Sequence, residues 1–256
     1  MLAAERRQRM VEMLDENATV SVAEFATLFG TSESTIRRDL ERLDSAGLIV
    51  KVHGGASSVE SALKPASFVA AEPTMEEKRE VNAAEKHALA AWAAAQVHAD
   101  DFVFIDSGTT TQAIVEHLSE EALRASFVSN SVTLALALAA RGAHSIVIGG
   151  DIKAGTEAIV GPGAIDALGR YNFSIGFWGA NGVTPEQGFT TPDTAEAMVK
   201  LVSMQHARDR YVLADASKLG VISPVTFSRF ADATLVTNGP VSAEYASLSN
   251  VVEVNA

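Results

Sequence analysis

Cysteine is missing from all 256 residues. Its absence excludes disulfide staples, thiolate zinc sites and a cysteine nucleophile. Aromatic residues are scarce at 6%, yet 47% of the chain is hydrophobic, enough for an ordinary core and too much for disorder. Long apolar runs are also missing. The longest, Val132–Ala140, stops at Arg141 and falls far short of a bilayer span. The first ten residues carry Glu5, Arg6, Arg7 and Arg9 where a secretory signal would place an apolar core. A cytoplasmic protein with no membrane attachment is expected. Positive charge is short as well: the net charge is −12, so the chain is not one that coats itself with nucleic acid. Residues 1–56 hold seven basic and nine acidic side chains, which leaves ten of the twelve net negative charges beyond them. Any DNA contact must come from a few locally presented cations.

The order of residues at the N-terminus points to such a contact. Leu2–Asp15 reads as a helix with Met10, Met13 and Leu14 on its apolar side. Ser21, with Glu24 three residues later, forms a capping box for a second helix that runs through Phe25, Ala26, Leu28 and Phe29 to Gly30. Ser32 starts a third helix, with Ile36, Leu40 and Leu43 at i, i+4 and i+7. Two helices joined by so tight a turn need a small residue at their crossing, where Ala26 is placed, and a plug, which Ile36 supplies. Ala, Gly and Ile at this spacing are the helix-turn-helix pattern. With the apolar stripe facing inward, Ser34, Thr35, Arg37 and Arg38 face outward, and Ser32 stands at the helix start. Guanidiniums and hydroxyls are suitable groups for base edges and phosphates. Leu48–Val52 then alternates as a strand before His53-Gly54-Gly55, the tip of a wing that would set Lys51 and His53 beside the DNA backbone. A winged helix-turn-helix is expected over residues 1–56. The plain alternative is a three-helix scaffold with a solvated arginine pair.

Residues 57–75 are rich in Ser, Ala and Pro without clear periodicity and read as a linker to a second domain, 76–256. Glu76–Val97 is expected as a helix. Short apolar segments then alternate with helical ones: Phe102–Ile105, Ser126–Val128, Ser145–Ile148, Ser174–Phe177, Tyr211–Ala214 and Thr234–Val236 as strands, with helices over Thr110–Leu118, Ser131–Ala140, Ala164–Gly169 and Thr194–Ala207. That alternation implies an α/β fold with a doubly wound, mostly parallel sheet, whose ligands sit beyond the strands' carboxyl ends. Polar or glycine-rich clusters follow most of these strands. The richest is Asp106-Ser107-Gly108-Thr109-Thr110-Thr111, a strand-to-helix turn offering amides and hydroxyls to a phosphate. A plain helix cap would use the same residues. Asn130, Gly150, Asn181, Asp215 and Lys218 lie in the other clusters, and Thr190 and Thr191 precede a helix carrying Glu196 and Lys200 four residues apart. That spacing is usually an exposed ion pair. Here it is also read as a face that closes over a ligand, with Lys200 or Lys218 as the phosphate's cation and Asp106, Asn130 and Asn181 on sugar hydroxyls.

Neither a Walker sequence nor a dinucleotide fingerprint is present, and the six histidines show no metal spacing, so no cofactor and no essential metal are expected. An isomerase with an accessory DNA-binding domain is the rival reading. Its base would be Glu196 or Asp215, neither with an activating partner evident in the sequence. No enzymatic activity is expected.

Glu5-Arg6, the run Ser34-Thr35-Ile36-Arg37-Arg38-Asp39-Leu40, Leu43 and Val52-His53-Gly54-Gly55-Ala56 resemble the DeoR family of bacterial transcription regulators. Asn82–Lys86, Asp106–Thr111, Ser129-Asn130, Gly149-Gly150, Gly179–Gly182, Asp193–Lys200 and Asp215–Lys218 carry the resemblance into the second domain, to about Asn238. It implies a sensor domain similar to sugar-phosphate isomerases, a phosphorylated sugar as effector and operator DNA as partner. A homo-oligomer, dimer or tetramer, is expected because one small module gives limited specificity and two-fold symmetry doubles the half-sites. Glu72–Lys78, Ala158–Ala164 and Gly188–Asp193 look closest to fructose-operon repressors, which implies fructose 1-phosphate as effector. The sign of regulation depends on operator position and is not encoded in these residues.

Overall fold

The computed structural model describes residues 3–17, 19–52, 55–58, 67–239 and 241–254. They form two compact units, a smaller one within residues 1–65 joined by 241–249, and a larger one within 66–240 and 250–256.

In the smaller unit, α1 (Ala3–Asn17), α2 (Val22–Phe29) and α3 (Glu33–Ser45) surround a sheet of β1 (Thr19–Ser21), β2 (Ile49–Val52) and β3 (Gly55–Ser58) in the order β1-β3-β2, antiparallel throughout. The expected capping box is present: Ser21 accepts from the Glu24 N–H while the Glu24 carboxylate accepts from the Ser21 N–H. Gly30 ends α2 in the left-handed region at φ 58°, where a Cβ would be strained. Ile36 is fully buried among Met10, Leu14, Phe25, Leu40 and Ile49. Each such side chain contributes about 1.5–3 kcal/mol by burial. At Gly55 a Cβ would lie 2.3 Å from the Val20 carbonyl oxygen, so the wing can close on β1 only with glycine there. Strand β3 runs to Ser58, into the stretch expected as linker. The lure is composition: Ser57 and Ser58 read as loop residues, but the ladder to β1 and β2 holds them extended.

The larger unit is organised by seven parallel strands: β5 (Phe102–Ile105), β6 (Ser126–Ser129), β7 (His144–Val147), β10 (Phe173–Gly179), β13 (Ala207–Leu213), β16 (Thr234–Asn238) and β17 (Val251–Val254). Their order is β17-β16-β13-β10-β5-β6-β7. From β5 the chain steps outward to β6 and β7, then returns to the other side of β5 with β10. The strand order therefore reverses between β5 and β10. Short strands fill the connections: a β8–β9 hairpin (Asp151–Lys153, Ala158–Val160), an antiparallel sheet of β11 (Gly182–Thr184), β12 (Gly188–Thr191) and β15 (Val225–Ser228), and β4 (Ser67–Phe68) paired with β14 (Val221–Ile222).

The helix expected over Glu76–Val97 is two, α4 (Met75–Arg79) and α5 (Ala83–Ala94), because Asn82 sits at φ 53° and breaks the run. The helix expected over Thr110–Leu118 is likewise two short ones, α6 (Thr109–Gln112) and α7 (Ile114–His117). Further along are α8 (Val132–Ala140), α9 (Pro162–Leu168), α10 (Thr194–Gln205) and α11 (Ala243–Ala246). Leu89, Ala90 and Ala93 of α5 pack with Val103, Ile105, Phe127, Phe177 and Leu213 in one core. Across the sheet, Phe104 stacks on Trp178 and packs at a tilt against Phe173. Among the described residues, no helix is long and apolar enough to cross a membrane.

Candidate functional site

The outward face of α3 carries the groups expected of a DNA-reading helix. Ser32 caps it by accepting from the Thr35 N–H at 3.3 Å, and its hydroxyl lies 2.9 Å from those of Ser34 and Thr35. Ser34, Arg37 and Arg38 are exposed and Thr35 is half-buried. Arg37 is held by Glu33 at 2.8 Å, one turn back. Arg38 makes no ion pair among the described residues. Arg6 and Arg7 are half-buried: both grip Asp39, at 2.6 and 3.3 Å, and tie α1 to α3. Of the wing residues expected to contact DNA, His53 and the side chain of Lys51 lie outside the described residues.

In the larger unit a cavity of about 150 Å³ opens where β13, β10 and β5 end side by side. This is the point of strand reversal, where loops leaving neighbouring strands part in opposite directions and leave a crevice. Ser107, Gly108, Thr109 and Thr110 line it after β5, Gly179, Ala180 and Asn181 after β10, and Asp215 and Lys218 after β13. Glu196 and Lys200 reach in from α10, and Met75, Lys78, Val81 and Lys86 close it from α4 and α5. Nine of the fifteen expected effector residues thus meet in one cavity: Ser107, Gly108, Thr109, Thr110, Asn181, Glu196, Lys200, Asp215 and Lys218.

The other six hold the walls from behind. Asp106 is 1% exposed, and its carboxylate accepts from the Gly179 N–H at 3.1 Å and from the Lys200 ammonium. A sugar hydroxyl finds no room there. Thr111 donates its hydroxyl to the carbonyls of Asp106 and Gly108, at 2.7 and 2.8 Å, and sets the turn. Asn130 is buried and donates to the Ser107 hydroxyl at 3.2 Å, so it aims a lining residue and does not line the cavity itself. Thr190 donates to the Gly182 carbonyl and Thr191 to the Asn181 side-chain oxygen, both fully buried in β12. Gly150 sits at φ 151°, where a Cβ would fall 2.5 Å from the Val160 carbonyl, so its role is the β8–β9 crossing.

The plain alternative, an exposed Glu196–Lys200 ion pair, does not form: both residues are buried and each is paired elsewhere. Lys200 bonds Asp106 and the Gly179 carbonyl, the latter at 3.0 Å, and lies over the Phe227 ring. Glu196 accepts from Lys153 at 2.9 Å and from the Thr156 hydroxyl at 2.5 Å. Burial pulls the Lys153 ammonium toward neutrality, but bonds to Glu196 and Asp193 outweigh it and raise its pKa. Asp193 shows the mirror case. Burial pushes its carboxyl up, yet the Glu196 N–H and Lys153 hold it below the usual range.

Lys200 is committed to Asp106, and Lys86 is a further cation in the lining. Its side chain is buried, it bonds the Lys78 carbonyl, and among the described residues it has no ion-pair partner. Burial lowers its pKa; Asp215 opposes that shift, while Lys218 and Lys78 reinforce it. An arriving anion would relieve this unfavourable state. Lys86 is absent from the expected ligand set although its place is readable: Lys86, Leu89, Ala90 and Ala93 fall at i, i+3, i+4 and i+7, a lysine on a core stripe. Lys78, Lys153 and Thr156 have no such signal. The first is held by the Glu72 carboxylate, which also accepts from Asn181 at 3.2 Å and so ties the segment before α4 to the cavity wall.

A family model described as the DeoR-like helix-turn-helix domain matches residues 6–62, and one described as the DeoR C terminal sensor domain matches 81–239. This chain belongs to the DeoR family. The HTH-type transcriptional regulator FruR of Bacillus subtilis (strain 168), itself uncharacterized, is 37% identical over 237 residues, covering 93% of this chain and 91% of that protein. The HTH-type transcriptional regulator GlpR of Haloferax volcanii is 35% identical over 245 residues, 95% and 93% of the two chains. A lactose phosphotransferase system repressor of Streptococcus mutans is 26% identical over 258 residues, 99% of each. Among solved structures, ribose 5-phosphate isomerase A of Methanocaldococcus jannaschii aligns with a TM-score of 0.38 and 17% identity over 54% of this chain and 55% of that one. In this DeoR-family regulator the helix-turn-helix model spans α2 and α3, and the sensor model spans α5 to β16 with most of the cavity lining.

Proposed function

We propose that the chain represses genes of sugar uptake and metabolism, and that a phosphorylated sugar in the larger unit's cavity controls its affinity for operator DNA. One observation carries this reading: a buried lysine without an ion-pair partner among the described residues, Lys86, lines a crevice beside the Ser107–Thr110 turn, in a molecule of net charge −12. The phosphate binds the turn's amides and hydroxyls with Lys86 and Lys218, and the sugar extends toward Asn181 and Glu196. Of the four lysines lining the cavity, Lys200 and Lys78 are taken up by Asp106 and Glu72, which leaves Lys86 and Lys218 to draw an anion into a chain that otherwise repels it.

The carboxylates in the lining bear on the enzyme reading. Glu196 is held by Lys153 and Thr156, Asp215 accepts from Asn82 and Ser217, and Glu77 caps α4 through Thr74. A general base needs a free carboxylate beside the substrate carbon, and these are engaged. That supports sensing without turnover.

Fructose 1-phosphate is the effector this reading names first. It rests on Glu72–Lys78, Ala158–Ala164 and Gly188–Asp193, and the name of the Bacillus subtilis relative supports it. Operator DNA is read by Ser32, Ser34, Thr35, Arg37 and Arg38, with Lys51 and His53 on the wing, in a dimer or higher oligomer in the cytoplasm. A thermal-shift screen of the full chain against phosphorylated and free sugars tests the effector. A ligand at a hundred times its Kd stabilises by about 2.7 kcal/mol. Stabilisation by fructose 1-phosphate and not by fructose is expected, whereas indifference to every sugar phosphate would end the proposal.

A further inference from the structure

Between Ala125 and Gly150 the sequence contains a single charged residue, Arg141, in a chain that is 20% charged. Those 26 residues form β6, α8 and β7, one entire edge of the seven-stranded sheet. The one charge, on exposed Arg141, is anchored by the carbonyls of Val115 and Leu118, the latter at 2.9 Å, and no acidic side chain stands in the segment. The side of α8 turned from the sheet is Val132, Thr133, Leu136, Ala137, Ala139 and Ala140, with Leu136 65% exposed. A surface helix of a globular protein places charges on its outer side, and one that is apolar all round is covered by something. Val147 on β7 and Ile152 on the adjoining β8 are exposed as well.

The edge strand itself points the same way. Sheet edges are blunted by charge, proline or bulges against pairing with another chain. The opposite edge follows that rule, with exposed Glu253 inside β17. Strand β7, His144-Ser145-Ile146-Val147, has neither an acidic nor a lysine or arginine side chain, no proline and no bulge in its pairing with β6. Under a two-fold axis an edge strand meets its own copy, so a strand whose charges share one sign sets like charges against each other. β7 is an edge that could meet itself without that cost, and on a molecule of net −12 the β6–α8–β7 face, which has no acidic side chain, is where two copies repel each other little.

We infer that this face is the interface between two copies of the chain, related by a two-fold axis, with β7 beside β7 and the outer sides of the two α8 helices buried together. This gives a surface to the oligomer proposed above; reading a two-fold operator requires the pair, while the interface stands or falls on its own residues.

Sedimentation of the full chain across micromolar concentrations tests it, with Leu136→Glu and Val147→Asp as variants and Leu28→Glu, at an exposed leucine of α2, as control. The wild type is expected as a dimer. Each of the first two variants should weaken self-association at least 100-fold while keeping the wild-type circular dichroism and the same thermal shift with sugar phosphate, and Leu28→Glu should change nothing. Two substitutions on different elements guard against one of them unfolding the edge. A wild type that stays monomeric would overturn the inference. So would variants that dimerise like the wild type, or a dimer dissociated by Leu28→Glu alone. If the interface maps here while no sugar phosphate binds, the effector proposal fails and this one stands. If sugar phosphate binds while the interface lies elsewhere, the effector proposal stands and this one fails.

Discussion

Lys86 and Lys200 enter the same cavity from α5 and α10 and do different things. Lys200 is half of a buried ion pair whose other half, Asp106, has no solvent to fall back on. Removing one partner of such a pair costs about 3–5 kcal/mol because a charge is left buried alone. Lys200→Met should therefore lower Tm clearly, and thermal unfolding without ligand is the check. Lys86→Met removes a cation that the fold holds at a cost, so its unliganded stability should stay near wild type or rise, while affinity for a sugar phosphate falls about 100-fold. The lowered pKa adds a pH signature. In the free protein Lys86 loses its proton at a pH below the 10.5 of an ordinary lysine. Bound phosphate favours the charged form and raises that pKa. Binding should then take up protons on the alkaline side, and affinity should fall as pH climbs through the free-protein pKa. Calorimetry in buffers of different ionisation enthalpy measures the uptake, and Lys86→Met should abolish it.

At the scale of elements, α3 presents two arginines in unequal states. Arg37 is tethered to Glu33, and Arg38 is free of ion pairs among the described residues. Arg38→Ala should weaken operator binding by about 1–3 kcal/mol, the worth of a specific base contact. Glu33→Gln should strengthen binding, since it frees Arg37 and removes a negative charge that faces phosphates. Anisotropy titrations at fixed salt separate the two, and weaker binding by Glu33→Gln would show that the carboxylate positions Arg37 for its contact. The helix-turn-helix is legible in the sequence because its signals are local: a capping box at Ser21 and Glu24, a left-handed glycine, a four-residue apolar rhythm. Six of the seven parallel strands are legible for a similar reason, as short apolar runs between helices, whereas β17 is not among the expected strands. The β8–β9 hairpin and the β11-β12-β15 sheet are hidden, because Gly149-Gly150, Gly182 and Gly188 read as loop until their partners are known. Asp106 shows the same limit. A carboxylate after a strand looks like a ligand for hydroxyls, and only the fold shows a lysine from 94 residues away already occupying it.

For the whole molecule, charge explains the division of labour. A chain of net −12 repels DNA and phosphorylated sugars alike, so meeting either takes a few locally presented cations. In the head these are the arginines of α3; in the sensor they are Lys78, Lys86 and Lys218 around the crevice. The segment from Glu72 to Lys78 forms part of the cavity wall through its bonds to Asn181 and to Lys86. Ligand that draws Lys86 away from the Lys78 carbonyl must change how this segment is held, and the segment lies just before the sensor in the chain. Allosteric couplings of about 1–3 kcal/mol, a 5–150-fold change in affinity, are within reach of such a rearrangement.

The most direct measurement is operator affinity of the full chain, on a duplex that it selects from random sequence, titrated with fructose 1-phosphate for the wild type and for Lys86→Met. Wild-type affinity should change by about 5–150-fold, an effect that free fructose does not produce and Lys86→Met does not show. Equal responses in the two proteins, or none to any sugar phosphate, would mean that Lys86 and its crevice do not govern DNA binding.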